Sequence, residues 1–379
     1  MSARPDSGEA YLLYHSIGQY PGKEADLARE MSQFARIWSA PDDGQWGEVL
    51  AKRARFLSLW EQLIKAPLGS MTTTESVTSG LMSVIGALPR AALEGKTVLV
   101  AEDGFPSLHF LLSGLQARYG FTLKTVPLRQ GAHWVEDEDI LSEWNEDVGV
   151  ALLTWISSTS SHRNDIPALV AHGRQMGSVI GVDITQGAGL LPYDVSAPEV
   201  DFLISTSLKW LCGTPGAGVI YMRPELTGQC TPDLRGWFSQ ANPFSWALDQ
   251  FSFAPDARRF DSGTPACVPA LASLPALDWR MAQEDAPYIA HNRTLTETLC
   301  AGLMDMGLTL ASPADPDQRG GSLMVSLPAE QDGQAVVAEL RRRGIYMDHR
   351  GQILRMSPGV LTTVEGVDYT LEALRQILG

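Results

Sequence analysis

A lysine and an aspartate at the ends of two successive apolar runs are the residues of this sequence best suited to chemistry. Asp183 ends the run SVIGVD, and Lys209 follows the next run, DFLISTS. Taken alone, the first is an ordinary turn aspartate and the second an ordinary solvated lysine. However, Leu208, Trp210 and Leu211 surround the lysine, and removal from water favours a neutral, nucleophilic amine.

Together the two residues meet the needs of one cofactor, pyridoxal 5′-phosphate (PLP). Its aldehyde forms a Schiff base with a lysine, and a carboxylate keeps its pyridine nitrogen protonated so that the ring accepts electrons. Thr206 lies three residues before the lysine and offers a hydroxyl to the phosphate. Phe105, in EDGFPSLHF, follows a predicted strand end, where it could stack on the ring or belong to the core.

The cofactor's phosphate also needs free backbone N–H groups, which the start of a helix provides. The stretch MTTTESVTSGLMSVIGALPR has Thr or Ser at positions 72–74, 76, 78 and 79, just before a helical run. Such residues are also common as simple helix caps. The stretch is therefore a candidate phosphate site with an ordinary alternative.

The composition argues against several classes of protein. The chain has 379 residues, 44% of them hydrophobic, and a formal net charge of −15. An acidic surface argues against nucleic acid or an anionic membrane as the main partner, although a local basic pocket can still hold an anion. The four cysteines have no CxxC spacing and no zinc-like cluster, which predicts a reducing, cytoplasmic setting. The sequence shows no apolar signal core and no run of membrane-spanning length.

Short apolar runs alternate with amphipathic stretches between about Thr72 and Met222. We predict strands at residues 96–103, 121–128, 149–157, 178–185, 201–207 and 216–222. This alternation is typical of a mostly parallel α/β sheet with helices on both faces, which binds ligands at the carboxyl ends of its strands. Asp183 and Lys209 follow two of these ends.

The length of the chain and a change in its sequence pattern after about residue 270 predict two domains. Residues 51–270 are predicted to form a large cofactor-binding domain, and residues 271–379 a small C-terminal α/β domain. Residues 1–50 are predicted to join the small domain, and residues 24–66 read as helical with a break near APDDG.

The order of these motifs resembles that of the fold-type I PLP enzymes of the aminotransferase class V group, and within it of kynureninase and its relatives. The resemblance runs nearly end to end. In chain order it is carried by YLLYHSIGQYP, ESVTSGLMSVIGAL, FPS, VDITQGAG, SLKWLCGTPGAG, LRGWFSQ, RFDSGTP and MDHRGQILRMSP. It implies the PLP-dependent transferase fold, with a mostly parallel seven-stranded sheet, helices on both faces and a small α/β domain.

The resemblance also implies a role for each candidate residue. Lys209 forms the Schiff base, Asp183 contacts the pyridine nitrogen and Gln186 the 3-hydroxyl. Phe105 covers the ring, and Arg355 binds the substrate carboxylate. The phosphate is contacted by Val77, Thr78, Trp237 and, from a neighbouring subunit, Thr264. A homodimer with shared active sites is therefore expected.

The substrate side departs from the kynureninase pattern. Leu208 replaces the tyrosine before the lysine, and Leu108 replaces an aspartate after the Phe-Pro pair. Gln186 replaces a histidine, while Ser239 and Gln240 replace the Gly-His pair that reads the substrate's aromatic ring. These changes argue against kynurenine as the substrate.

A cysteine desulfurase is also disfavoured. The late segment 312–321, SPADPDQRGG, has no cysteine to carry the sulfur, and Cys212 reads as a packed thiol. No second acid or base is evident, and the candidates are His15, His109 and Tyr14.

We therefore predict an enzyme that acts on an α-amino acid through an external aldimine. The leading prediction is a kynureninase-like lyase or hydrolase of a modified amino acid, by Cβ–Cγ cleavage or β-elimination. An aminotransferase is the alternative within enzymes, and a non-catalytic PLP-fold binding protein is the alternative outside them. The first strand of the sheet is not followed by GxGxxG, so a nicotinamide enzyme is set aside.

Overall fold

The structure is a computed structural model that describes residues 9–379. Seven strands form the large sheet: β1 Met71–Thr74, β2 Thr97–Ala101, β3 Thr122–Val126, β4 Val148–Thr154, β5 Val179–Asp183, β6 Phe202–Thr206 and β7 Gly218–Met222. Their order across the sheet is β1-β7-β6-β5-β4-β2-β3. Only β7 runs against the others, since both of its neighbours pair with it antiparallel. The predicted mostly parallel seven-stranded sheet is confirmed.

The large sheet is covered on both faces, which explains why its central strands read as continuous apolar runs. The helices that pack around it are α2 Gln45–Leu63, α3 Val77–Ile85, α4 Pro106–Tyr119, α5 Asp137–Ser142, α6 Ile166–Met176, α7 Pro224–Thr227 and α8 Cys267–Met281. Alternate residues of β4 enter opposite cores: Ala151 and Leu153 pack with α2, α6 and α8, while Val150 and Leu152 pack with α3, α4 and α7. Burial on both faces fixes the register of the strand and hence where its carboxyl end lies.

Residues 72–74 require a correction. The sequence was interpreted there as a hydroxyl-rich run leading into a helix, but these threonines form β1, antiparallel to β7. β-Branched threonine suits a strand, and Arg53 binds the hydroxyls of Thr72 and Thr73 at 2.9 Å and 2.8 Å. The helix start that can meet a phosphate is therefore at residues 76–79, one turn further on.

The small domain is an antiparallel sheet with helices. Its strands, in the order β10-β11-β9-β8, are β8 Thr309–Leu310, β9 Leu323–Ser326, β10 Asp348–Arg350 and β11 Ile353–Met356. Its helices are α9 Asp285–Asp305, α10 Gly333–Arg342 and α11 Val364–Leu378. The helices α8 and α9 follow each other closely and are separated at residues 282–284.

The N-terminal segment contacts both domains. Ala10 and Leu12 are buried in the core of the small domain, and Leu13 bridges to Ser357. The helix α1 Lys23–Trp38 then packs on α8 together with α2. Between Leu13 and α1, Gly18 lies against the turn that contains Lys209, and its N–H donates to the Leu208 carbonyl at 2.9 Å. The residue-by-residue domain boundaries given above stay a prediction.

Candidate active site

A cavity opens where the carboxyl ends of three parallel strands meet. Asp183 is the last residue of β5, beside Thr154 of β4 and Ile204 of β6. Lys209 follows β6 after two residues of turn, Ser207 and Leu208. Parallel strands end at one edge of the sheet, and so the fold brings together two residues that are far apart in the sequence.

The cavity has a volume of about 270 Å³. Its walls contain seven of the ten residues predicted for the site: Val77, Thr78, Phe105, Asp183, Gln186, Thr206 and Lys209. The other lining residues are Glu75, Ser76, Thr154, Ile156, Ser158, Thr185, Leu208, Pro215 and Gly216. The cavity therefore has an apolar wall and a polar floor, a combination common in small-molecule sites.

The amine of Lys209 is poised for nucleophilic chemistry. Burial lowers the pKa of Lys209 to about 8, Asp183 acts in the opposite direction, and Arg355 lowers it further. A larger share of the amine is therefore neutral near pH 7 than in an exposed lysine. Its Nζ lies 5.6 Å from the centroid of the Phe105 ring, which is about half exposed and forms one wall.

Asp183 presents a carboxylate at the floor of the cavity. The side chain is buried, and burial raises its pKa, while the hydrogen bond from the Thr185 N–H and the charge of Lys209 lower it. The Thr185 N–H donates to its Oδ1 at 2.9 Å. A buried carboxylate with room for another partner is suited to hold a protonated ring nitrogen.

Two buried polar atoms beside Asp183 have no hydrogen-bond partner among the described residues. They are the hydroxyl oxygen of Thr185 and the amide oxygen of Gln186, and both residues line the cavity. The Gln186 Nε2 donates to the backbone oxygen of His15 at 3.2 Å, so its amide oxygen is the end left over. Unsatisfied buried polar atoms cost stability, which indicates that a polar ligand completes this floor.

The start of α3 forms the opposite end of the cavity. Ser76 caps the helix by accepting from the Ser79 N–H at 3.1 Å, and Ser79 returns a hydrogen bond to the Ser76 N–H at 2.9 Å. The N–H groups of Val77 and Thr78 belong to the first helical turn, which has no acceptor inside the helix. The helix dipole and these N–H groups favour an anion such as a phosphate.

Comparison with known proteins identifies the family. The sequence profile described as "Aminotransferase class-V" matches residues 59–368, most of the chain. The chain belongs to the aminotransferase class-V family. It is 26% identical over 333 residues to an uncharacterized aminotransferase, YcbU, of Bacillus subtilis, covering 87% of this chain and 85% of that protein. It is 28% identical over 326 residues to a kynureninase of Deinococcus radiodurans, covering 84% and 73%.

Solved structures confirm the fold. A cysteine desulfurase from Thermococcus onnurineus superposes with a TM-score of 0.85 at 17% identity, covering 97% of this chain and 94% of that one. The cystine C–S lyase C-DES in complex with cysteine persulfide superposes with a TM-score of 0.85 at 19% identity, covering 97% of each. The predicted fold-type I architecture is therefore correct for this class-V protein.

The cofactor of this class-V protein is pyridoxal 5′-phosphate, and the residues present fit it. The unsatisfied Thr185 and Gln186 oxygens, the buried Asp183 and the helix start at Val77 lie around one cavity with Lys209. In the part of the chain that the structure describes, no group of three His, Cys, Asp or Glu side chains could hold a metal ion. None of the helices within residues 9–379 is both long and apolar enough to cross a membrane.

Trp237 and Thr264 lie outside this cavity, in contrast to the other predicted cofactor contacts. Trp237 lines a second cavity of about 650 Å³ with Gln240, Trp246 and Phe251. Thr264 is exposed in the turn before α8. Within one chain, neither residue belongs to the group around Lys209.

Arg355 also does not line the cavity, although it is next to it. Its Nη1 donates to the backbone oxygen of Ser158, a lining residue, at 3.1 Å. Its Nε and Nη2 donate to Asp348 at 2.8 Å and 2.6 Å. The sequence predicted that this guanidinium binds a substrate carboxylate, and the structure shows that one of its edges is already occupied by a carboxylate of this chain.

The three candidates for a second acid or base are all engaged elsewhere. His15 uses both ring nitrogens, His109 contacts the Thr125 hydroxyl at 3.0 Å, and the Tyr14 hydroxyl donates to the Gln19 carbonyl at 2.8 Å. None of the three is among the described residues that line the cavity. Besides Lys209 and Asp183, the titratable residue on its wall is Glu75, at the phosphate end.

Sequence reasoning missed three residues that shape the site: Thr185, Ser158 and Asp348. Thr185 was visible in the motif VDITQGAG, two residues after the key aspartate. Asp348 stood in MDHRGQILRMSP, and the hairpin register that pairs it with Arg355 could have suggested the contact. Ser158 contributes a backbone oxygen, which no side-chain pattern reveals.

Proposed function

We propose that this protein is a PLP-dependent lyase that removes a β-substituent from a modified α-amino acid. The observation that carries the proposal is the cavity in which Lys209 is the main group able to move a proton, with Asp183 at the floor. When bound, the cofactor stabilises negative charge that develops at the substrate's α-carbon. Residues of this chain would hold the cofactor and move the proton of the α-carbon.

Lys209 has two tasks in this proposal. Its amine holds the cofactor at rest, and once a substrate amine replaces it, the freed amine takes the proton from the α-carbon. A lowered pKa suits both tasks, since the neutral amine is the reactive form. Asp183 keeps positive charge on the ring nitrogen, and Val77 and Thr78 hold the phosphate so that the ring does not move.

The scarcity of acid–base groups on the wall favours elimination over hydrolysis. Hydrolytic Cβ–Cγ cleavage needs a group that activates water, in addition to the group that works at the α-carbon. β-Elimination needs only removal of the α-proton and departure of the β-substituent, with a double bond formed between Cα and Cβ. Leu208 stands where kynureninases have a tyrosine, which supports a reaction with fewer proton transfers.

An aminotransferase is the second candidate. It is favoured by the likeness to YcbU, which is named an uncharacterized aminotransferase and is matched over most of both chains. The same lysine would serve, since it could take a proton from the α-carbon and then act as the acid that gives it back.

We also propose a homodimer in which Trp237 and Thr264 reach the partner's phosphate site. Both residues lie outside this chain's own cavity, and Thr264 is exposed. Phe244, Trp246 and Leu248, beside Trp237, are exposed apolar side chains of the kind that a second subunit covers.

Spectroscopy with product analysis tests the proposal. The purified protein is mixed with PLP, its visible absorbance is recorded, and a panel of L-α-amino acids with β-leaving groups is added. The lyase proposal expects a lysine-bound band, borohydride labelling of Lys209, and release of a 2-oxo acid and ammonia with the band restored. Conversion of the cofactor to its amine form, reversed by pyruvate, would favour transfer. The absence of any band would overturn both candidates.

A further inference from the structure

Arg355 is tied to Asp348 across a hairpin. The two residues face each other in the antiparallel pair β10 and β11. The carboxylate accepts from Nε and from Nη2, a two-point contact along one edge of the guanidinium. Asp348 is partly exposed and Arg355 is buried, and the two side chains form an ion pair in which each neutralises the charge of the other.

His15 holds the same carboxylate from the other side. Its Nε2 lies 3.0 Å from Asp348 Oδ1, and its Nδ1 lies 2.6 Å from the Ser357 hydroxyl. Burial lowers the pKa of His15 to about 4, so the ring is neutral at pH 7. A neutral ring that donates from Nε2 to the carboxylate must accept at Nδ1, which the serine hydroxyl supplies.

This chain of contacts ends beside the cofactor cavity. The Ser357 hydroxyl also lies 2.6 Å from the Ser322 hydroxyl. The backbone oxygen of His15 accepts a hydrogen bond from the Gln186 side-chain amide. Gln186 lines the cavity, so the N-terminal segment connects the cofactor floor to the Arg355 network. Arg355 in turn touches Ser158 on the cavity wall.

The geometry leaves Arg355 one direction in which to bind. With Nε and one Nη2 hydrogen on Asp348 and one Nη1 hydrogen on Ser158, a single N–H remains on each terminal nitrogen. We propose that His15 and Asp348 are positioning residues that fix Arg355 so that a substrate carboxylate binds only through its terminal nitrogens. This inference rests on the proposed function, since it assumes an α-amino acid in this cavity.

The test compares amino acids with the amines that lack their carboxylate. PLP-loaded wild type, Asp348→Asn, His15→Ala and His15→Gln are titrated with L-alanine and ethylamine, and with further L-amino acids and their decarboxylated amines, while the visible band is followed. Glutamine keeps a donor at the place of Nε2, so His15→Gln is the conservative rescue for His15→Ala.

We expect Asp348→Asn to weaken amino acid binding about tenfold or more and amine binding less than twofold. His15→Ala should weaken amino acid binding three- to tenfold, with most of the loss restored in His15→Gln. Asp201→Asn is the matched control, because it removes a buried carboxylate from Arg174 and Arg223 at the far end of the strands. The control should leave the ratio of amino acid to amine affinity unchanged.

Three outcomes would overturn the inference: equal loss for amino acid and amine, no change in either, or tighter amino acid binding in Asp348→Asn. The last would mean that Asp348 competes with the substrate. If Asp348→Asn does not fold, the ratio of amino acid to amine affinity is compared between His15→Ala and His15→Gln, and that comparison tests the inference. Failure of the proposed function is distinguishable, because the wild type would then show no lysine-bound band or no response to any amino acid.

Discussion

The two halves of the site are built in different ways. The cofactor half, with Asp183 and Lys209, lies at the ends of buried strands of one sheet, each held between two helical layers. The proposed substrate half, with Arg355, is assembled from a hairpin of the small domain, the N-terminal segment and a backbone oxygen of the large domain. The cofactor half therefore follows from the sheet, whereas the substrate half depends on how separate pieces of chain pack.

The difference between regular elements and loops accounts for part of where this chain departs from the kynureninase pattern. A residue at a strand end is positioned by register, and a change there disturbs the core. A residue in a loop or hairpin can change with little effect on the sheet. Of the residues that differ from the kynureninase pattern, Leu208, Gln186 and Gln240 lie in turns or loops and Ser239 in a short 3₁₀ helix, whereas Leu108 is buried in α4.

The largest effect should come from Lys209→Ala. Activity should fall by about 10³-fold or more, since both the attachment of the cofactor and the transfer of the α-proton are lost. The lysine-bound band and borohydride labelling should disappear, although PLP can still bind through the helix start and Asp183. Steady-state rates and mass spectrometry check this. A labelled residue other than Lys209 would contradict the assignment of the cofactor half.

Asp183→Ala should have the next largest effect. The lysine-bound band should persist, while turnover falls by about 10²-fold or more because charge at the α-carbon is less well stabilised. Rapid-mixing absorbance with an α-deuterated amino acid checks whether the α-proton step is the one slowed. Full turnover would remove Asp183 from the role of ring-nitrogen partner.

Arg355→Ala examines the substrate half directly. The apparent KM for α-amino acids should rise about tenfold or more, while KM for simple amines changes little, because only the amino acids have a carboxylate for Arg355 to bind. Asp348 also loses its two-point partner, so the thermal unfolding of the variant is measured in parallel. Equal increases for amino acids and amines would argue against a carboxylate contact.

Gly18→Ala examines the place where the two halves touch. A Cβ at Gly18 would lie 1.8 Å from the carbonyl oxygen of Lys209, so the N-terminal segment must move. We expect a loss of about 1–3 kcal/mol in the free energy of unfolding, together with a shift in the lysine-bound band. Gly114→Ala is the control, because no atom lies within 4 Å of a Cβ there. Denaturant unfolding of both variants measures this loss, and equal stability of the two variants would contradict the close approach of Gly18 to the Lys209 carbonyl.

At neutral pH the smallest effect comes from the protonation of His15. The pKa of His15 is about 4 in the fold against 6.5 ordinarily, because burial disfavours its charged form. Between pH 6.5 and 4 the unfolded chain therefore binds more protons, and stability falls as pH falls. In His15→Gln this part of the decline should vanish, a difference of up to about 3 kcal/mol. Unfolding free energies at several pH values check it, and parallel curves for the two proteins would contradict a neutral, buried His15.

Much of the cofactor half could be predicted from the sequence. Apolar runs of strand length, each followed by a polar residue or a glycine turn, indicated which residues lie at one edge of a sheet, because buried parallel strands leave this pattern. Asp183, Thr206 and Lys209 line the cavity for that reason, whereas Val77 and Gln186 were named from the family resemblance. The threonines at 72–74 were misplaced because a hydroxyl-rich run suits both a helix start and a strand.

The substrate half shows what the sequence by itself could not determine. The residue types of Arg355, Asp348 and His15 are written in the chain, but their contacts are between residues up to 333 positions apart. Local pattern indicates strands and helices, since these depend on near neighbours and on which faces are buried, whereas the order of the strands depends on pairing between distant segments. Which edge of Arg355 stays free was decided only by tertiary packing, because hydrogen bonds between distant segments depend on distances that no periodicity encodes.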